Sequence, residues 1–247
     1  MSILITRPTP DGEDLVDRLV SIGKSAYHLP LISFSTGKTL FSIKKYLNFL
    51  HTGDFLFIVS QHAVKYAHIQ LLSSGTQWPH KITYYSIGHK TSSKMYSLSG
   101  ILSKYPQNEE TSENLLQFPE LIYNISGRRA LILKGNNGLT TLQHTLQKRG
   151  ALVLCCECYT RKPIQYNGKE QYNRMITLDI EIIVVTTTDM LKQLYYLIPQ
   201  SHRTDWLITR QLVVTSNRLA EYAKSLGWSD IIITKSANNT TILRALQ

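Results

Sequence analysis

Residues 127–161 read GRRALILKGNNGLTTLQHTLQKRGALVLCCECYTR, and this stretch predicts a complete β-loop-α-β unit. The apolar run 130–133 is typical of a buried strand in a parallel sheet. The turn 135–138 is rich in residues that tolerate a positive φ. Three leucines then share one face of a predicted helix: Leu139, Leu142 and Leu146. A second apolar strand is predicted from Ala151 to Tyr159.

A glycine-bearing loop between a strand and a helix exposes backbone N–H groups at the positive end of the helix dipole. That combination favours an anion. Most strand-loop-helix turns bind nothing, so the loop alone leaves both a structural turn and an anion site open.

The chain has 247 residues, enough for one large or two small domains, and a net charge of +10. This charge suits nucleic acid, an anionic membrane surface or a polyanionic small molecule, and a plain basic solubility charge is the alternative. There is no dense Lys/Arg run and no aromatic-basic signature, so we expect no nucleic acid. No apolar run reaches the length of a membrane span, and the first residues do not read as a signal peptide. We therefore expect a cytoplasmic protein without membrane contact.

All three cysteines lie in the second predicted strand of the opening stretch. Alternation along a strand places Cys156 and Cys158 on one face and Cys155 on the other. The chain has no CxxC and no HExxH pattern. We expect buried or half-buried thiols and no metal site.

Strands and helices alternate along almost the whole chain, which predicts an α/β fold with parallel sheets. The predicted strands include 55–59 and 101–105. A strand, a short Ser/Thr/Gly loop and a helix follow one another at six places: Thr6, Ser60, Gly88, Lys134-Gly135, Thr186 and Thr215. Ligands of open α/β sheets lie at the carboxyl ends of the strands. Six such ends suit a ligand with many carboxylates, and the GxGxxG and GxxxxGK[ST] patterns of nucleotide sites are absent.

The order and spacing of eight segments resemble the uroporphyrinogen-III synthase family over essentially the whole chain. The segments are ILITRP (3–8), VSQHAV (59–64), SIGHKT (86–91), YPQNEETSENLL (105–116), GRRALILKGNNG (127–138), ECYTR (157–161), VVTTTDML (184–191) and NNTTILRAL (238–246).

The resemblance implies two parallel-sheet α/β domains joined by two linker strands, with an active-site cleft between them. We expect a discontinuous domain of residues 1–35 and 164–247 and an inserted domain of residues 39–158. The linkers would be about 36–38 and 159–163.

The resemblance also implies an enzyme that closes hydroxymethylbilane, a linear tetrapyrrole with eight carboxylates, into uroporphyrinogen III in haem biosynthesis. Loss of the substrate hydroxyl gives an azafulvene cation, which ring D attacks. A spiro intermediate then forms, fragments and closes again with ring D inverted. The family needs no metal or organic cofactor, and nothing in the sequence requires more than a monomer.

The resemblance points to Tyr159 as the proton donor for departure of the hydroxyl. A phenol, with an ordinary pKa of about 10, is protonated at neutral pH. Its alternative is a strand tyrosine that only packs its ring. The candidate substrate-binding residues lie at the six strand ends: Thr6, Arg7, Ser60, Gly88, Thr91, Lys134, Gly135, Thr186, Thr187, Thr215 and Ser216. For the hydroxyl residues the alternative is helix capping, and Arg7 and Lys134 are alternatively solvated surface charges.

Three departures from the family pattern affect single contacts, and one of them is that Leu139-Thr140 stands in place of an Arg-Glu pair. Lys134 stands where bacterial members often carry arginine, and this replacement loses bidentate carboxylate recognition. Residues 186–188 are three threonines in place of a TSG-like turn.

The second functional hypothesis is a non-catalytic two-domain module that closes on a polyanionic, tetrapyrrole-like ligand.

Overall fold

The computed structural model describes residues 1–136, 140–234 and 236–247. The chain divides into two compact units, each continuous in space. The terminal unit comprises Met1–Ser33 and Lys162–Gln247, and the central unit comprises Phe34–Arg161. Each unit is described by itself below.

The strands and helices follow one another in this order. The first half of the chain contains β1 (Ser2–Ile5), α1 (Asp11–Ser21), β2 (Ser25–His28), β3 (Ile32–Thr36), α2 (Ile43–Leu47), β4 (Phe55–Ile58), α3 (Gln61–Ser73), β5 (Thr83–Ser86), α4 (His89–Ser99), α5 (Ser112–Leu115) and α6 (Pro119–Tyr123). The second half contains β6 (Arg129–Gly135), α7 (Thr141–Lys148), β7 (Leu152–Pro163), α8 (Gly168–Thr177), β8 (Ile180–Val184), α9 (Thr188–Leu197), β9 (Gln211–Val214), α10 (Asn217–Ser225), β10 (Ile231–Ile233) and α11 (Asn239–Ala245).

The sheet of the terminal unit has the strand order β10-β9-β8-β1-β2, and these strands pair in parallel. Its interior strand β1, which lies between β8 and β2, is apolar on both faces because helices cover both sides. Ile3 and Ile5 pack with Leu15 and Leu19 of α1, and Leu4 packs on the opposite side. The apolar run of the first strand therefore supplies two core clusters.

The central unit holds the second sheet, in the order β3-β7-β6-β4-β5. Strand β4 pairs in parallel with β5 and β6, and β6 pairs in parallel with β7. The four residues of β4 are all buried. Leu56 and Ile58 face the cluster that includes helix α3, whereas Phe55 and Phe57 face the cluster of Leu142 and other α7 residues. This alternation fixes the register, since a slip of one residue would exchange the two faces.

The sequence-based prediction of an α/β fold with parallel sheets is confirmed. The faces assigned to the cysteines are also confirmed: Cys156 and Cys158 lie in one core cluster, and Cys155 packs against another. The strand predicted at 101–105 is wrong, because only a single bridge from Lys104 to Tyr85 forms there. Residues 137–139 of the predicted turn and helix lie outside the described residues.

Candidate active site

The carboxyl ends of parallel strands meet at one edge of a sheet, and in the central unit this edge gathers several of the candidate residues. Gly135 ends β6, and Ser60 follows β4 by two residues. Tyr159 lies in β7 as the register partner of Gly135. The parallel register, which pairs Ile58 with Leu133, brings the ends of these strands side by side.

The half-buried ring of Tyr159 is the centre of this edge. Its Oη lies 3.2 Å from Oγ of Ser60. Three aromatic rings surround the phenol, with centroids 5.4 Å away for His62, 5.6 Å for Phe34 and 6.1 Å for Tyr66. His62 in turn stacks on Phe34 at 3.9 Å. The phenol is thus held by neighbours on several sides with its hydroxyl at Ser60.

Gly135 makes room for this ring. A Cβ atom at residue 135 would lie 2.5 Å from Cζ of Tyr159, far inside van der Waals contact. The sequence left this loop open between a structural turn and an anion site. At this register position only a glycine admits the phenol.

Ser60 is the N-cap of α3, as the sequence predicts for its capping alternative. Its Oγ accepts a hydrogen bond from the backbone N of Ala63 at 3.0 Å and donates to Tyr159. A single hydroxyl serves both contacts because it has one hydrogen and two lone pairs. The local cap and the tyrosine are therefore joined through one side chain.

The Gly88 turn already holds a carboxylate of the chain itself. Gly88 is the N-cap residue of α4, and Oε1 of Glu110 accepts a hydrogen bond from the N–H of His89 at 2.8 Å. A Cβ at residue 88 would lie 2.2 Å from Oε2 of Glu110. Thr91, in the first turn of α4, is buried. The start of α4 therefore accepts a carboxylate that the chain itself supplies.

Lys134 lies in β6, where it is half-buried and pairs in register with Glu157 of β7. The Glu157 carboxylate accepts hydrogen bonds from the backbone N of Lys38 at 3.2 Å and from Oγ1 of Thr160 at 3.0 Å. Lys134 is therefore not fully solvated, as the alternative interpretation of a surface charge would require.

In the terminal unit, Thr6 and Arg7 follow β1 and are both buried. Oγ1 of Thr6 donates to the carbonyl oxygen of Val184 at 2.7 Å. The Arg7 guanidinium pairs with the carboxylate of Asp11 at 3.0 Å and hydrogen-bonds Oδ1 of Asn239. Burial lowers the pKa of Arg7, and the nearby carboxylates oppose that change. The interpretation of Arg7 as a solvated surface charge is therefore wrong. Its side chain instead connects the start of α1 with the start of α11.

The remaining hydroxyl residues of the terminal unit lie at the ends of β8 and β9. Thr187 and Ser216 are the N-caps of α9 and α10 and accept hydrogen bonds from the backbone N–H groups of Met190 and Leu219. Oγ1 of Thr215 donates to the carbonyl oxygen of Thr186 at 3.1 Å. Capping is thus confirmed for Thr187 and Ser216. The bond from Thr215 to Thr186 connects the ends of β9 and β8.

Sequence reasoning missed the three rings around Tyr159. His62 and Tyr66 are four residues apart on α3, directly after the cap Ser60, so their shared helix face was a readable signal. Phe34 is distant in the sequence and has no local signal. Within the described ranges, no three His, Cys, Asp or Glu side chains are grouped to hold a metal ion. In the same part of the chain, no helix has the length and apolarity of a membrane span.

Comparison with known proteins identifies the family of this chain. Residues 13–243 match the family model described as "Uroporphyrinogen-III synthase HemD". The chain is 47% identical over its full length to the full-length uroporphyrinogen-III synthase of Escherichia coli, and equally so to that of Salmonella typhimurium. It is 43% identical to the Proteus mirabilis protein of that name, over 78% of this chain and 97% of that one.

The fold agrees with solved structures of low sequence identity. A mutant uroporphyrinogen III synthase of Thermus thermophilus superposes with a TM-score of 0.67 at 14% identity, covering 100% of this chain and 97% of that one. The Helicobacter pylori uroporphyrinogen-III synthetase gives a TM-score of 0.58 at 15% identity, covering 100% and 99%. At such identities the likeness concerns the fold alone, whereas the family match and the full-length relatives concern the sequence itself. On that basis, the chain belongs to the uroporphyrinogen-III synthase family.

Proposed function

We propose that this chain cyclises hydroxymethylbilane to uroporphyrinogen III with loss of water and inversion of ring D, and that Tyr159 is its acid. Family membership supports the reaction. The observation that carries the assignment of the acid is the position of Tyr159: its phenol is half-buried at the strand ends of the central unit, and its Oη meets a hydroxyl donor at 3.2 Å.

Departure of the hydroxyl needs a proton on its oxygen. In the proposed step the phenol hydrogen of Tyr159 passes to that oxygen, the C–O bond breaks and water leaves. The products are an azafulvene cation on the substrate and a phenolate on the enzyme. Ring D later loses a hydrogen at the carbon where the macrocycle closes, and this proton restores the phenol. The enzyme is unchanged overall, as the net loss of one water molecule requires.

The protein binds the substrate through the substrate's carboxylates. Helix N-termini accept carboxylates through free backbone N–H groups and the helix dipole. The starts of α9 and α10, which Thr187 and Ser216 cap, present the positive end of a helix dipole in this chain. The net charge of +10 favours the approach of a polyanion. Holding a flexible linear tetrapyrrole in the geometry for inversion is a matter of orientation.

The test is turnover of freshly made hydroxymethylbilane, with the ratio of type III to type I uroporphyrinogen as the readout. Uncatalysed closure gives type I, so predominantly type III product is expected from the protein. Tyr159→Phe is expected to lower kcat on the order of a hundredfold while the product stays type III. Tyr123→Phe is the matched control, because Tyr123 is 80% exposed on α6. Type I alone at the uncatalysed rate would contradict the synthase and leave the non-catalytic binding module.

We also propose that the chain acts as a cytoplasmic monomer that needs neither a metal nor an organic cofactor. Each unit has its own sheet and core clusters, which supports folding without a second copy. Light scattering after size-exclusion chromatography should give the monomer mass of 28.2 kDa. Turnover should persist after dialysis against a chelator. A dimer mass, or a rate restored only by added metal, would contradict these two points.

A further inference from the structure

The hydroxyl of Ser60 lies between a helix and a phenol. Its oxygen accepts from the backbone N of Ala63 at 3.0 Å, and its hydrogen is donated to Oη of Tyr159 at 3.2 Å. The cap contact turns the Ser60 oxygen toward the first turn of α3. In the bond to the phenol, Ser60 supplies the hydrogen.

This direction of donation matters for an acid. Oη of Tyr159 is the acceptor in the bond, so the phenol's own hydrogen points elsewhere and stays available for transfer. When that hydrogen leaves, Oη carries negative charge, and a hydrogen bond to a charged oxygen is stronger than one to a neutral oxygen. The bond from Ser60 therefore strengthens as the proton moves, which lowers the barrier.

The phenol ring does not depend on Ser60 for its place. Gly135 lies against the ring, and Phe34, His62 and Tyr66 lie around it. Loss of the serine hydroxyl is therefore expected to remove the donor and leave the ring in place. This separates an effect on the proton from an effect on packing.

We propose that Ser60 is a positioning residue for Tyr159, which directs the phenol hydrogen away from α3 and stabilises the phenolate oxygen as the proton leaves. The inference rests on the proposed role of Tyr159 as the acid. It assigns Ser60 an effect on kcat, whereas contact between Ser60 and a substrate carboxylate would affect KM.

The experiment measures kcat and KM for Ser60→Ala, Ser60→Thr and Tyr159→Phe, and for Ser60→Ala combined with Tyr159→Phe. Ser60→Ala is expected to lower kcat about tenfold with KM unchanged. Ser60→Thr keeps the hydroxyl and should restore most of the rate. In the Tyr159→Phe background, Ser60→Ala should cost nothing further, because both changes remove the same interaction.

Two further variants separate catalysis from folding. Ser60→Gly removes the hydroxyl at little cost to the helix, since glycine is tolerated as an N-cap. It should reproduce the fall in kcat if the alanine variant folds poorly. Asn167→Ala removes the exposed N-cap of α8, which lies in the terminal unit. It should leave kcat unchanged.

Three results would overturn the inference. One is a raised KM with unchanged kcat in Ser60→Ala, which would make Ser60 a substrate contact. Another is a full effect of Ser60→Ala in the Tyr159→Phe background, which would show that Ser60 does not act through Tyr159. The third is a wild-type rate in Tyr159→Phe, which would overturn the acid assignment and this inference with it. Because that result comes from Tyr159→Phe alone, it can be told apart from a failure of the Ser60 inference only.

Discussion

Gly135 and Tyr159 are register partners in the parallel pairing of β6 and β7, and a Cβ on Gly135 would lie 2.5 Å from Cζ of Tyr159. The backbone of one strand thus passes directly beside the phenol of the next. A side chain at residue 135 and the observed position of the phenol exclude each other.

Gly135→Ala is expected to displace the phenol and lower kcat on the order of a hundredfold, since a misplacement of about 1 Å has that effect on a catalytic group. The matched control is Gly127→Ala. Gly127 has a φ of +73° and nothing near its Cβ position, so this change strains the backbone far from Tyr159. We expect the control to lower the melting temperature and leave kcat unchanged. Wild-type kcat in Gly135→Ala would mean that Tyr159 tolerates displacement.

His62 is expected to fix the rings around Tyr159 through its stack on Phe34. His62→Ala should lower kcat about fivefold to tenfold, because the phenol gains freedom to rotate. His62→Phe keeps a flat ring and should retain most of the rate if packing is the role of the imidazole. Steady-state kinetics of the two variants decide this. An equal loss in both would show that the ring nitrogens, and not the shape of the ring, are required.

Arg7 is expected to stabilise the terminal unit. Arg7→Met removes the pair with Asp11 and the hydrogen bond to Asn239, and should cost about 1 to 3 kcal/mol of unfolding free energy in urea. Arg18→Gln is the control, because Arg18 also pairs with an aspartate of α1. Arg18 pairs with Asp14 at 2.9 Å, with both side chains about half exposed, and such a pair contributes less than about 1 kcal/mol. Equal losses would contradict the role given to the burial of Arg7.

Glu120 predicts a dependence of stability on pH. A hydrogen bond from Lys104, together with one from the buried hydroxyl of Tyr85, lowers the pKa of Glu120 from 4.5 to about 2. Burial and the same carboxylate raise the pKa of Tyr85, which stays protonated. Because the folded state holds the carboxylate ionised, Glu120 contributes stability above about pH 4.5, and this contribution is lost as the pH falls toward about 2.

The measurement is urea unfolding of the wild type and of Glu120→Gln at a series of pH values from neutral down to about 2. The wild type should be more stable at neutral pH by about 1 kcal/mol, as for one hydrogen-bonded network at a partly exposed site. The difference should shrink below about pH 4.5. Glu113→Gln is the control, since Glu113 is exposed at the start of α5. A difference that stays constant with pH would show that the charge of Glu120 is not the stabilising feature.

Local features of the chain were readable because they depend on neighbours in the sequence. A cap spans three residues, so Ser60 was identified from the residues around it, and its hydrogen bond to Ala63 confirms that prediction. The apolar run 55–59 predicted a strand buried on both faces, which β4 is. The strand predicted at 101–105 failed because an apolar run becomes a strand only where a neighbouring strand has room to pair with it, and here one bridge forms.

The sequence by itself determined the α/β class, the order of most strands and helices, the cap of α3 at Ser60, and the strand on which Tyr159 lies. Only the tertiary structure decided what surrounds each candidate side chain. It set Gly135 against Tyr159, brought Phe34 to the same ring, placed Glu110 at the start of α4 and buried Arg7 beside Asn239. The physical reason is that these contacts join residues far apart in the chain. Their distances follow from sheet register and helix packing, which arise from the core as a whole and not from any local pattern.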